Sequence, residues 1–272
     1  MRPDPRRSDM TRIIVAGATG RMGSRISALS FEYPELVLAG AFERAGHKDT
    51  GKNLGVGESG IKLADSIAAV LDAGDVIIDF TAPQATVANV ATAAAHNKAM
   101  VIGTTGLEKD QIELVRNASR QIPIIFAPNY SVGVNLLLKV LQDVARVLGD
   151  EYDIEVIEAH HRLKKDAPSG TAIKLAQVVA EAVNRNLDEV GVYARKGIIG
   201  ERKQKEIGIQ TIRGGDIVGE HTVMFCGLGE RIEITHKASS RDTFARGALR
   251  AAGWIVRQKP GLYDMQDMLG LK

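Results

Sequence analysis

The sequence predicts an α/β protein in two parts, a doubly wound parallel-sheet domain and a smaller α+β domain with a mixed, mostly antiparallel sheet. Three observations carry this reading. In the first half, short apolar runs alternate with amphipathic stretches, the pattern of strand–helix–strand units. In the second half, strand-like runs follow one another mostly without a crossover helix, as hairpins do. The first strand also runs directly into a glycine-rich turn that opens a helix.

The elements follow in order. Strands are predicted over residues 12–17, 36–42, 75–80, 99–103 and 123–127, with amphipathic helical stretches over 21–30, 66–71, 84–96 and 108–119. Beyond them, residues 153–159, 207–213, 222–226 and 230–238 read as strands, with Gly227-Leu-Gly229 as a tight hairpin loop. Helical patterns over 134–148 and 171–183 are placed to cover one face of that second sheet, and 241–257 forms a last helix. Domain boundaries fall at residues 129–133 and 238–241. Residues 1–10 are polar, with three Arg and two Pro, and are expected to be a disordered extension without a signal-peptide core.

Ile13-Ile-Val-Ala16 enters Gly17-Ala18-Thr19-Gly20-Arg21-Met22-Gly23, a variant G-x-x-G-x-x-G fingerprint of the Rossmann type. Gly17 permits the tight turn, Gly20 lets the backbone approach a pyrophosphate, and Gly23 allows the helix to pack closely on the sheet. A ligand-free structural turn would show the same glycines. Glu43, 20 residues after Gly23 at the end of the second predicted strand, weighs against that, because a carboxylate there accepts from ribose hydroxyls. Arg44 beside it is placed for a 2′-phosphate, so NADH and NADPH are both permitted. The loops Gly103-Thr104-Thr105 and Ala127-Pro128-Asn129-Tyr130 also follow predicted strands, where such a sheet binds ligands.

The segment Glu158-Ala-His160-His161-Arg162-Leu-Lys164-Lys165-Asp166-Ala-Pro168-Ser169-Gly170-Thr171 places two imidazoles and three cations between a strand end and a helix start. A carboxylate on the amides of Ser169, Gly170 and Thr171 would be held by the helix N-terminus, and Arg162, Lys164 or Lys165 could take a second anionic group. His160 is a candidate general acid or base. Asp166 is placed either to orient Lys164 or Lys165 or to form the turn before Pro168, with the turn slightly favoured. The alternative is a solvated basic loop.

Composition narrows the classes further. Net charge is +2, which gives no bulk attraction to nucleic acid or to a membrane surface. No apolar run is long enough to span a bilayer. Cys226 is the single cysteine, set in an apolar run, which suits a reducing cytoplasm and a core position. His160 and His161 diverge on an extended segment, so no metal site is expected.

These blocks closely resemble the 4-hydroxy-tetrahydrodipicolinate (dihydrodipicolinate) reductase family of diaminopimelate and lysine biosynthesis. The hallmark E-x-H-H-x-x-K-x-D-A-P-S-G-T-A matches residues 158–172, and the similarity extends from Thr11 to the C-terminus. The resemblance implies reduction of a cyclic, doubly carboxylated imine or its hydrated precursor by NAD(P)H. It implies His160 and Lys164 as the proton-handling pair with Lys164 as donor, and substrate binding by His161, Gly170 and Thr171. It places Gly103–Thr105 and Ala127–Tyr130 at the nicotinamide side. Tyr130 stands where the family usually has Phe, so its hydroxyl must find a partner. The resemblance further implies a discontinuous nucleotide domain (1–130 and 240–272), a substrate-binding and oligomerisation domain (131–239), and a homotetramer. Glu233, His236, Lys237 and Arg241 read as interface or hinge residues. Two other readings remain: a different pathway dehydrogenase, such as a semialdehyde enzyme, for which Cys226 is poorly placed as nucleophile, and a redox-sensing NAD(P)-binding module without turnover.

Overall fold

A computed structural model describes residues 10–57 and 60–272. The extension expected over residues 1–10 lies, apart from Met10, outside the described residues. The chain begins with β1 (Thr11–Ala16), α1 (Arg21–Leu29), β2 (Leu36–Phe42), β3 (Val76–Asp79), α2 (Pro83–Ala95), β4 (Ala99–Ile102), α3 (Lys109–Ala118) and β5 (Pro123–Phe126). It continues through α4 (Val132–Leu148), β6 (Asp153–His160), α5 (Gly170–Ala182), α6 (Leu187–Val190), β7 (Gly191–Val192), β8 (Ile207–Arg213), β9 (Gly219–Cys226) and β10 (Arg231–Ala238). It ends in α7 (Asp242–Ile255), β11 (Gly261–Tyr263) and α8 (Met265–Leu269). These elements form two compact units, one comprising the chain up to Val132 with Asp242–Lys272, the other Gly133–Arg241.

The first unit is built on a parallel sheet in the order β11-β5-β4-β3-β1-β2. Successive strand residues point to opposite faces, so the run Ile13-Ile14-Val15 feeds two cores at once. Ile13, Val15, Val76, Ile78 and Val101 pack with Ile26 and Leu29 of α1 and Ala248, Leu249, Ala252 and Ile255 of α7. Ile14, Ile77, Met100, Ile102 and Ile124 pack on the other face with Val90 of α2 and Val115 of α3. A sheet covered on both faces explains why its strands are continuously apolar rather than alternating. Strand order reverses between β1 and β3, which makes the C-terminal ends of those two strands the switch point where such sheets bind ligands.

The second unit has a mixed sheet in the order β10-β9-β6-β8-β7. β9 pairs antiparallel with both β10 and β6, whereas β8 pairs parallel with β6 and β7. Here the strands alternate. Ile154, Val156, Ile207, Ile209, Val223 and Phe225 face Leu137, Leu141, Leu175 and Val179 of α4 and α5. Burial of each such side chain is worth roughly 1.5–3 kcal/mol.

Some elements depart from expectation. Residues 66–70 form bends and turns, followed by a single 3₁₀ turn at Leu71–Ala73, because six residues give too little hydrogen bonding to offset helix nucleation. β9 begins at Gly219 rather than residue 222, and β6 extends through His160. The short β11 and α8 lack a periodic signal; α8 starts because the Asp264 carboxylate caps the amides of Gln266 and Asp267 at 2.8 and 3.0 Å.

Candidate active site

In the second unit, β6 carries Glu158 and His160 on one face, two residues apart. Glu158 is fully buried, and its carboxylate is satisfied from three directions. It accepts a bidentate pair from Arg213 of β8 at 2.9 and 2.8 Å, the Ser169 amide at 3.0 Å, and His160 Nδ1 at 2.6 Å. These bonds outweigh desolvation and hold the Glu158 pKa down at about 2. Because the carboxylate is ionised, the short contact requires a proton on His160 Nδ1. Burial lowers the His160 pKa, and the charge of Glu158 opposes that fall.

Around this dyad sit three further groups. His221 of β9 lies with its ring centroid 5.2 Å from that of His160, and burial pushes its pKa down to about 4. Its Nε2 is 3.1 Å from Ser169 Oγ. Ser169 is the N-cap of α5, and its Oγ accepts from the Ala172 amide, so the amides of the first turn, at Gly170 and Thr171, mark the helix N-terminus. Lys164 is close enough for its charge to depress the pKa of both His160 and His221, and its ammonium pairs with Asp166 at 2.9 Å. His161 accepts the Leu163 amide on Nδ1 at 3.2 Å, which leaves the ring proton on Nε2. His161 and Arg162 line an open recess of about 410 Å³ with Asp216 and Arg241.

In the first unit the glycine turn follows β1. Gly17 adopts φ +62°, and a side chain there would lie 2.9 Å from Thr81 Cγ2, so the loops after β1 and β3 meet at the switch point. A Cβ on Gly23 would sit 2.1 Å from the Gly17 carbonyl oxygen, so only glycine lets α1 approach this turn. Gly20 is the N-cap of α1 and supplies no side-chain cap, which leaves the first-turn amides at Arg21 and Met22 for another acceptor. Glu43 just past β2 accepts from the Thr19 amide and hydroxyl at 3.0 and 2.7 Å. A recess of about 180 Å³ opens beside Thr19, bordered by Asp49 and Lys52. A buried polar cluster underlies the next loops: Asp79 is fully buried and accepts from Thr81, Thr86, Thr104 and Asn89.

Comparison with known proteins agrees with this layout. The family descriptions "Dihydrodipicolinate reductase, N-terminus" and "Dihydrodipicolinate reductase, C-terminus" match residues 11–130 and 133–269. The chain belongs to the dihydrodipicolinate reductase family. The 4-hydroxy-tetrahydrodipicolinate reductase of Syntrophobacter fumaroxidans is 58% identical over 97% of this chain and 100% of its own length. That of Syntrophus aciditrophicus is 54% identical over the same shares. The dipicolinate-bound dihydrodipicolinate reductase structure from Paenisporosarcina sp. TG-14 has the same fold, with a TM-score of 0.73 at 24% identity over 95% of this chain and 98% of that one. As a dihydrodipicolinate reductase family member the chain is an oxidoreductase, and the family uses NADH or NADPH.

The structure brings together the predicted residues of each block and changes the part some of them play. His160, His161 and Lys164 lie with the N-terminus of α5 in one unit, as the hallmark suggested. Of the two parts open to Asp166, turn-former or partner of a lysine, the structure shows the ion pair with Lys164. Arg241, expected at an interface or hinge, lines the recess beside His161. Gly103 and Thr105 stand after β4, but the hydroxyl of Thr104 is buried in the Asp79 cluster, so a ligand could meet only its backbone. Tyr130 is 1% exposed, and its hydroxyl donates inward to the carbonyls of Ile102 and Ile125 at 2.9 and 3.1 Å. Its phenol therefore offers no outward donor. Sequence reading assigned no role to Glu158, Arg213 or His221. The i, i+2 spacing of Glu158 and His160 on a strand was the one available signal, because Arg213 and His221 reach the site only through the β6–β8 and β6–β9 registers.

Among the described residues, no group of three or more His, Cys, Asp or Glu is placed to hold a metal ion. No helix among them is long and apolar enough to cross a membrane.

Proposed function

We propose that this reductase converts 4-hydroxy-tetrahydrodipicolinate to tetrahydrodipicolinate in diaminopimelate and lysine biosynthesis, using His160 and Lys164 to handle the proton. The observation that carries the reading is the imidazole of His160, oriented by a buried carboxylate, beside a lysine and an N-terminal helix turn within one unit. The glycine turn fits a dinucleotide: Gly17 and Gly23 exclude side chains, the first amides of α1 suit a pyrophosphate, and Glu43 and Arg44 suit an adenosine ribose. Gly103, Thr104, Thr105, Ala127, Pro128 and Asn129 are assigned to the nicotinamide side, with Tyr130 supporting them from beneath. When bound, the nicotinamide supplies the hydride.

The remaining work falls to the second unit. A dicarboxylate such as the dipicolinate held by the Paenisporosarcina enzyme has two anionic groups at fixed separation. One is assigned to the first-turn amides of α5 at Gly170 and Thr171, and the other to His161 and the cations of the 161–165 loop. As hydride reaches the ring carbon, negative charge builds on the ring nitrogen or the adjacent carbon. Lys164 donates the proton there, released from Asp166, and His160 Nε2 shares in its transfer. The same reading includes a cytoplasmic homotetramer assembled through the second unit, in keeping with its edge strand β10 and the exposed Leu228 and Ile232.

His160→Gln and Lys164→Ala should each lower kcat by about 10²-fold or more while NADPH affinity stays unchanged. The assay is NADPH oxidation with substrate supplied by dihydrodipicolinate synthase. Near-normal turnover by both variants removes the proposed roles. NADPH binding without turnover by the wild type would return the chain to the redox-sensing reading.

A further inference from the structure

We propose that Glu158 is a positioning residue for this reduction: its carboxylate, clamped by Arg213 and the Ser169 amide, holds His160 with Nδ1 protonated, so that Nε2 is the ring nitrogen that takes up a proton and passes it toward the substrate. This rests on the role given to His160 above and adds a residue to which no role has been assigned.

The geometry is specific. Glu158 is fully buried, and a buried carboxylate persists only when it is paired and hydrogen-bonded. Its Oε2 takes His160 Nδ1 at 2.6 Å and Arg213 Nη1 at 2.9 Å, while Oε1 takes Arg213 Nη2 at 2.8 Å and the Ser169 amide at 3.0 Å. Arg213 is itself fixed, since Nη2 also donates to the Asp166 carbonyl at 2.7 Å. One carboxylate thus ties together the catalytic imidazole on β6, the loop that carries Lys164, and the N-cap of α5. Fixing one nitrogen of an imidazole selects the role of the other. On the Nε2 side, Gly219 of β9 has no side chain; a Cβ there would approach Nε2 to 3.1 Å, so the glycine leaves room at that nitrogen. The charged and titratable groups around the ring are Glu158, Lys164, Arg213 and His221. Glu158 alone among them raises the His160 pKa; burial, Lys164 and Arg213 lower it.

A purely structural role for Glu158 would change stability and leave the proton chemistry untouched. The positioning role makes two different demands. In wild-type enzyme labelled with ¹⁵N-histidine, the His160 resonance, assigned by its loss in His160→Gln, should report the Nδ1–H tautomer above its pKa. In Glu158→Gln, kcat should fall at least about 10-fold with NADPH dissociation unchanged and substrate KM nearly unchanged. The limb of the kcat–pH profile that reports His160 should also move to lower pH, because the charge that raised its pKa is gone. Glu158→Asp, which retains the charge, should restore the position of that limb more than the rate. An Nε2–H tautomer in the wild type overturns the proposal, and this measurement does not depend on any variant at position 158 folding. So does a folded Glu158→Gln enzyme with wild-type kcat and an unmoved limb, provided His160→Gln is impaired; the role of His160 then stands and only that of Glu158 falls. If His160→Gln itself turns over normally, both fall.

Discussion

The two candidate sites are built from different materials. The turn after β1 is made of backbone: Gly17 and Gly23 are defined by the side chains they exclude, and the donors are first-turn amides of α1. The site at the end of β6 is made of side chains: a buried carboxylate, two imidazoles within 5.2 Å of each other, an arginine fork and a capping serine. Backbone donors do not titrate and hold their geometry from one pH to the next. Side-chain networks do titrate, and the groups in them set each other's protonation. A cofactor common to many enzymes suits the first kind of site, whereas proton transfer to one substrate needs the second.

The largest expected consequence is that acid should loosen the second unit before the first. His221 falls to about 4, and His160 and His236 also fall below the usual histidine range through burial. All three lie in the second unit. A histidine with a depressed folded pKa gives its full stabilisation above the unfolded value near 6.5. That stabilisation is lost as pH drops toward the folded pKa, because the unfolded chain takes up the proton first. For His221 alone the window runs from about 6.5 to about 4 and the loss is of order 3 kcal/mol. Glu158, lowered to about 2, adds its loss only between roughly 4.5 and 2. Amide hydrogen exchange at pH 7.5 and 5 should show β6 and β9 losing protection while β1 and β3 keep theirs, and His221→Gln should shrink the difference. Equal losses in the two sheets would break the contrast between the sites.

The same contrast explains what could be read in advance. The glycine turn is local: Gly17, Gly20 and Gly23 lie within seven residues, and their spacing alone encodes strand, turn and helix. Most strands of both sheets were legible from their apolar runs, but the short β7 and β11 were not. The basic loop was legible as a cluster but not as a network. Arg213 meets His160 across the β6–β8 register, and His221 meets Glu158 across the β6–β9 register, neither of which sequence pattern fixes. Residues 66–71 show the opposite error, an amphipathic pattern too short to sustain a helix. Asp166 was ambiguous because a turn-former and an ion-pair partner look alike in sequence.

An intermediate effect tests the one place where the first site does rely on charge. Arg44 is exposed, without an ion-pair partner among the described residues; of the rival cations in the next loop, Lys48 is also exposed, whereas Lys52 is already paired with Asp49 at 2.8 Å. Arg44→Ala should therefore weaken NADPH far more than NADH, by roughly 1.5–3 kcal/mol for one charge-assisted contact. Glu43→Ala should weaken NADH and relieve repulsion against a 2′-phosphate, although it also frees Thr19. Dissociation constants for both cofactors decide the matter: equal losses for the two on Arg44→Ala would mean that the phosphate is met elsewhere.

The smallest effect is expected where a side chain of the first unit sits beside its site without entering it. The Tyr130 ring lies 5.2 Å from that of Phe80, and its hydroxyl reaches the carbonyls of Ile102 and Ile125. Burial raises the phenol pKa well above its ordinary value, so it stays protonated and remains a donor throughout the working range. Tyr130→Phe keeps the ring and its packing and removes one neutral hydrogen bond. The Ile102 carbonyl retains the Ala127 amide at 3.2 Å, so it is not stranded by the change. The cost should be about 1 kcal/mol, a fall in melting temperature of roughly 2–4 °C, with cofactor affinity and kcat unaltered. Had the hydroxyl faced the ligand, its loss would appear first in the NADPH dissociation constant; a weakening there of tenfold or more, with the melting temperature unmoved, would place Tyr130 in the cofactor site and give that site a titratable side chain after all.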